Sequence, residues 1–130
     1  MAVTLETIAR NGACNGVVDL VDAGSAAGKL QIKTSAGTST FDNGKVATLT
    51  FTDPAFGNAA TGVATANAIT SDTSATGGTA AKAYFYDSDN NAVLSCAVST
   101  SGSDINLSSV AIGAGDTVSV SSLTVTQPAS

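Results

Sequence analysis

Lys82-Ala83-Tyr84-Phe85-Tyr86, then Asp87-Ser88-Asp89-Asn90-Asn91, then Leu94, Cys96 and Val98 at every second position, is the stretch that decides the fold. Ala83 and Phe85 alternate with Lys82, Tyr84 and Tyr86, which gives an extended segment with one apolar face. Residues 87–91 are polar turn formers, and Leu94, Cys96 and Val98 bring an apolar face back in the opposite direction. Two alternating runs around one polar turn make a β-hairpin.

The same period continues on both sides. Downstream, Ile105 and Leu107 make a short strand, and Val110 and Ile112 shift phase as a bulge or break requires. A turn at residues 113–116 leads to a last strand with Val118, Val120, Leu123 and Val125, with a second slip between Val120 and Leu123, and Pro128 ends it. Upstream, Leu30 and Ile32 alternate with Lys29, Gln31 and Lys33, a half-buried strand with a basic outer face. Asn43-Gly44 is the pair preferred in tight hairpin turns. Ala47, Leu49 and Phe51 alternate until Asp53-Pro54 breaks the run, and residues 62–69 are extended and rich in small and β-branched side chains. Residues 35–40 and 71–78 are polar loops. Seven to eight short strands with turn signals about every dozen residues predict a mainly-β chain, a β-sandwich or jelly-roll-like pair of sheets over residues 29–126.

Only the N-terminal segment has a helical period. Leu5, Ile8, Ala9, Gly12, Ala13, Gly16, Val17, Leu20 and Val21 recur at three- and four-residue steps, which predicts an N-terminal α-helix over about residues 4–23. Thr4 is placed to cap it, Glu6 suits its first turn and Gly24 stops it. Two glycines with Asn11 and Asn15 make a poor helix on propensity. The expected reason is close packing: Gly12, Ala13 and Gly16 on the buried face let the backbone approach a sheet or a neighbouring subunit. Gly16→Leu is then expected to lower stability or assembly.

Composition narrows what such a chain does. With 130 residues, residues 1–130 make a single domain. Charged residues are 12% of the chain, five basic against ten acidic, for a net charge of −5. No cluster of Lys and Arg is present to hold phosphates, so nucleic acid is not an expected partner. The chain has no His and no Trp, and Arg10 is its one Arg, which excludes His-dependent acid–base chemistry and His-ligated metal sites. With four Phe and two Tyr, the core must be built from small side chains, and association would add burial. No apolar run approaches the ~20 residues of a membrane span, and Met1-Ala2-Val3 begins without a charged leader. Synthesis and folding in a cytosol are expected, with Cys14 and Cys96 as free, buried thiols rather than a disulfide.

Sites for chemistry are sparse. Gly24-Ser25-Ala26-Ala27-Gly28-Lys29-Leu30 has one residue too few between its glycines for a phosphate loop, and it joins helix to strand in the wrong order. Asp87, Asp89 and Asn91 alternate as in a calcium loop, but Ala92 stands where glycine is needed and Val98 where a bidentate Glu is needed. A plain turn is favoured there, with a weak calcium site using Asp72 or Asp104 left open. Asp19 and Asp22, with Asp42, lack the aromatic cleft of a glycan hydrolase. A Ser or Thr nucleophile would have only Lys29, Lys33, Lys45 or Lys82 as a base. No catalytic, cofactor-binding or metal-ligating residue is expected, and no enzyme.

Most of the chain resembles small virion proteins of tailed bacteriophages. The resemblance runs from Ala9-Arg10-Asn11 into Val18-Asp19-Leu20-Val21-Asp22-Ala23-Gly24 and Leu30-Gln31-Ile32. It continues through Pro54-Ala55-Phe56-Gly57, Gly62-Val63-Ala64-Thr65-Ala66-Asn67-Ala68-Ile69 and Ala83-Tyr84-Phe85-Tyr86-Asp87-Ser88. It closes with Val98-Ser99-Thr100-Ser101-Gly102, Asp104-Ile105-Asn106-Leu107 and Gly115-Asp116-Thr117-Val118-Ser119-Val120. It implies a structural protein of the virion, made in the host bacterial cytoplasm. Within that class the chain looks most like a capsid decoration or cement protein, a homotrimer on the capsid surface that clamps the major capsid protein. Gly12, Ala13 and Gly16 on the helix and Lys29 and Lys33 on the strand are the partner-facing residues expected for such a role. The alternative is a tail- or fibre-associated component whose loops 35–40 and 71–78 bind a host surface. A virion enzyme that degrades cell-wall glycan is disfavoured by the missing acid, base and cleft.

Overall fold

The alternating stretch at 82–98 folds as the expected hairpin in the computed structural model, which describes residues 3–129; Met1, Ala2 and Ser130 lie outside the described residues. Its arms are two of ten strands: β1 Lys29–Lys33, β2 Lys45–Phe51, β3 Val63–Thr65, β4 Ile69–Thr70, β5 Gly78–Thr79, β6 Lys82–Tyr86, β7 Ala92–Ser99, β8 Ile105–Asn106, β9 Ala111–Ile112 and β10 Thr124–Thr126. Before them lies one α-helix, α1 Thr7–Val18, which tightens into a 3₁₀ turn at Asp19–Asp22. The architecture is mainly β with an N-terminal helix, as the residue pattern requires, although several strands are only two or three residues long.

Six strands form the main sheet in the order β4-β2-β1-β6-β7-β8, antiparallel except for the β7–β8 pair. On its inner face Leu30 stands opposite both Leu49 and Phe85, and Ile32 opposite Ala47 and Ala83. A separate layer is the β3–β10 ladder with α1 beside it, and a third, two-stranded β5–β9 ladder is tied to β2 by Gly77 N–H donating to Val46 O. Phe56, bridged to Ala66 just after β3, lies against Phe51 and Phe85 of the main sheet with ring centroids 5.7 and 6.2 Å away. Cys14, Val18 and Val21 close the same core from the helix side.

The outer face of the main sheet departs from the expected pattern. β1 is the sheet's third strand and is buried on both faces: Gln31 and Lys33, expected to point to solvent, are both 0% exposed, and so is Tyr86. The eleven residues between β1 and β2 are the cover. They fold back over the sheet, and four successive carbonyls accept bonds from it. Lys82 Nζ donates to Gly37 O at 3.1 Å, Lys33 Nζ to Thr38 O and Thr40 O at 2.8 Å each, and Tyr86 Oη to Ser39 O at 3.0 Å. Gln31 exchanges two bonds with Asp42, and Phe41 meets the Tyr86 ring edge-on at 5.0 Å. Asn43-Gly44 therefore does not make a two-residue hairpin. It ends this long loop, with Gly44 at φ +64 in a turn closed from Lys45 N to Asp42 O.

Two boundaries also differ. The helix begins three residues later than expected, with Glu6 at the cap position and no side-chain cap, so Thr4 caps nothing. Its end is as expected, since Gly24 turns the chain at φ +96. The last strand is confined to β10; residues 119–123 are not ladder-paired, although Val120 and Leu123 are buried.

Burial sets the pH response of this frame. It pulls the Lys33 ammonium below its ordinary value, with the Asp42 carboxylate opposing that shift. It holds the Tyr86 hydroxyl up to about 12, and burial together with Asp104 pushes the Cys96 thiol from 9.0 to about 12. The folded chain therefore keeps both of these protons after the unfolded chain has lost them, and their contribution falls as pH rises from about 9 towards 12. Urea titrations across that window should show a declining midpoint. Lys33→Met strands the carbonyls of Thr38 and Thr40 under cover and should lower stability by about 2 kcal/mol in the same assay at neutral pH.

Candidate interaction surface

Residues eleven, fourteen, fifteen, eighteen and twenty-one form the inner stripe of α1 and its 3₁₀ turn, and this stripe is only partly apolar. Cys14, Val18 and Val21 are buried. Between them, Asn11 Oδ1 accepts Gly62 N–H and Asn15 Oδ1 accepts Ala59 N–H, both at 2.8 Å. Arg10 Nε donates to Gln127 O at 2.9 Å, and Cys14 Sγ to Val125 O at 3.3 Å. Asp22 Oδ1 accepts Ala55 N–H at 2.7 Å, and Leu5 N–H donates to Ala129 O. The poor helix formers Asn11 and Asn15 thus help hold the helix in place by satisfying backbone N–H groups of residues 59 and 62. Burial raises the Asp22 carboxyl above its ordinary value, opposed by the Ala55 N–H and assisted by Asp53 and Asp19.

The stripe expected to be buried points outward instead. Gly12, Ala13 and Gly16 are exposed, together with Ile8, Ala9 and Leu20. Ile8 is 84% and Leu20 56% exposed, and Val3 nearby is 81% exposed. The expectation that these glycines pack against the chain's own sheet is overturned: a Cβ added at Gly12 or Gly16 would meet nothing within 4 Å. Small residues sort with either face of a helix, so their periodicity identified the stripe but not its direction. The outcome is a smooth helical face of small and apolar residues with Asp19 as its charged member.

The strand half of the expected interface does not reach the surface in the expected way. Lys33 is internal, its ammonium also 5.2 Å from the centroids of Tyr84 and Tyr86. Lys29 is half-buried, bonded to Asn90 Oδ1 at 3.2 Å and lying over the Phe41 ring. A basic outer face on β1 is therefore absent, because the covering loop draws both cations inward.

Several of the acids considered for chemistry are taken up by backbone donors, and Asp42 by the Gln31 amide and Lys45. Asp87 accepts Asp89 N–H and Asn91 N–H at 2.9 Å; burial pushes its carboxyl up, but these donors and the Asn91 side chain outweigh burial and leave it below its ordinary value. This is the plain hairpin turn. Asp72 accepts Thr48 N–H and Ser74 N–H, and Asp104 accepts Ala97 N–H. Among the described residues, no three His, Cys, Asp or Glu side chains converge as a metal site. Both thiols are free, Cys14 buried and Cys96 half-buried. Two open grooves of about 130 and 180 Å³ fall short of the roughly 300 Å³ at which ligand pockets begin. The outward helix face, by contrast, exposes Ile8 and Leu20 around Gly12 and Gly16.

Because nothing in the chain opposes a side chain there, Gly12→Ala and Gly16→Ala should each raise the stability of the isolated protein by about 1 kcal/mol, read as a higher urea midpoint with unchanged slope. Gly16→Leu should fold without loss, while Asn15→Ala should cost about 1–2 kcal/mol by orphaning Ala59 N–H. No family model matches the chain, and no curated protein or solved structure matches it either, so this surface is read from its own residues.

Proposed function

We propose that the chain is a non-enzymatic structural protein of a tailed-bacteriophage particle, a capsid decoration protein that seats as a trimer on the outer capsid surface through the outward face of α1. The observation that carries this reading is the pair Gly12 and Gly16. Each sits inside the helix, exposed, where glycine costs about 1 kcal/mol relative to alanine, and no contact within the chain offsets that cost. A surface that must lie close to the helix backbone supplies the reason. Ile8 and Leu20 flank the glycines and provide apolar anchors of the kind that desolvate on binding. The resemblance to small virion proteins of tailed phages names the partner class, the major capsid protein.

Charge supports the same arrangement. Copies that each carry −5 repel one another when crowded around a symmetry axis, and a contact face with so little charge keeps that repulsion away from the interface. Asp22, Asp72, Asp87, Asp104 and Asp116 each accept a backbone N–H, which suits a rigid building block.

Purified protein added to particles assembled without it should give density at regular capsid sites by cryo-electron microscopy, with particles that resist heat better. Gly16→Leu and Ile8→Asp should abolish that density while the isolated proteins melt as the parent does. Density confined to the tail would replace this reading with a tail-associated role. Binding unaffected by both substitutions would remove the helix face from it.

A further inference from the structure

Asparagine precedes glycine three times, at Asn11-Gly12, Asn15-Gly16 and Asn43-Gly44. In such a pair the glycine nitrogen can attack the asparagine Cγ, because no Cβ obstructs the approach. The reaction needs a backbone nitrogen free of other bonds and a side-chain amide free to swing onto it. The fold treats the three pairs differently.

Gly12 and Gly16 lie inside α1, where their N–H groups belong to the helical ladder. Asn11 and Asn15 are held away from those nitrogens by the 2.8 Å bonds from Gly62 N–H and Ala59 N–H. Nucleophile and electrophile are both restrained. Position 43 differs first at the nucleophile, which lies outside any helix. Asn43 is exposed, and among the described residues neither its Nδ2 nor the Gly44 N–H donates a hydrogen bond. Its Oδ1 accepts Thr38 N–H, but this bond is longer, at 3.1 Å, and exposed, so it restrains the amide less than the part-buried 2.8 Å bonds do at 11 and 15.

We propose that Asn43 is a spontaneous deamidation site, where the folded chain converts an amide into an acid while the two helical pairs stay intact. The Gly44 nitrogen loses its proton to solvent base and forms a bond to Asn43 Cγ. The Cγ–Nδ2 bond breaks, ammonia leaves, and a five-membered succinimide results. Water then adds to one of the two ring carbonyls. Opening one way restores the normal backbone with an aspartyl side chain. Opening the other way gives an isoaspartyl linkage, which adds one methylene to the main chain. Either product adds a negative charge next to Asp42. The isoaspartyl form also lengthens the turn between Asp42 O and Lys45 N, at the end of the loop whose carbonyls surround Lys33. The modification therefore loosens the cover of the main sheet and leaves the helix face untouched.

The full-length protein, incubated folded at mildly alkaline pH and mapped by peptide mass spectrometry, should gain acid at position 43 at least about tenfold faster than at 11 or 15. In urea, where helix and bonds are gone, the three rates should converge. Asn43→Gln should stop the reaction at that position, because the longer side chain would have to close a larger ring. Equal rates at all three positions in the folded protein would overturn the proposal. So would a folded chain that stays intact at 43 while the unfolded one reacts there.

Discussion

The Lys33 ammonium lies in the middle of a sheet with no solvent contact, and its placement governs much of what surrounds it. A buried cation needs acceptors, and a carboxylate would be the usual partner. Here two loop carbonyls and two tyrosine rings take that place. The loop must therefore lie flat over β1 and β6, and in doing so it covers Gln31 and Tyr86 as well. With the bonds from Lys82, Tyr86 and Gln31 it turns a half-exposed strand into one buried on both faces. Among the described residues, no buried side-chain nitrogen or oxygen is left without a partner, so the arrangement is closed in hydrogen-bonding terms.

The strands were legible where apolar side chains alternate against a common core. Leu30 and Ile32, Leu49 and Phe51, and Ala83 and Phe85 all face inward as their spacing requires. The cover was not legible, because it is made by main-chain carbonyls of residues 37–40, and a backbone acceptor leaves no mark on residue type. Lys33 reads in sequence as any solvent-facing lysine would. The same limit hid the divided outer layer: two- and three-residue strands such as β5 and β9 are specified by neighbours in space, with Gly78 and Ala111 carrying almost no strand preference of their own.

The helix shows a second limit. Its existence followed from period, and its end from Gly24, yet its orientation came out reversed. Glycine and alanine count as apolar in any periodicity, so they drew the expected core stripe towards Ile8 and Leu20. The true inner stripe carries Arg10, Asn11 and Asn15, whose partners are backbone groups far along the chain. The stretch Ala9-Arg10-Asn11 was visible as a signature, but its physical task appears only once Gly62 and Gln127 are beside it. Of the residues expected to face a partner, Gly12, Ala13 and Gly16 lie together on one exposed helix face, whereas Lys33 is buried under the loop.

The helix bonds also join distant parts of the chain. Arg10, Cys14 and Leu5 donate to Gln127, Val125 and Ala129, contacts that span more than a hundred residues of chain. A twelve-residue helix containing two glycines is too weak to persist by itself. It is held by residues 55–62 and by residues 125–129 together, the slow kind of closure expected of high contact order. The direction of its outward face is thus set by parts of the chain far from the helix in sequence, and not by the helix itself.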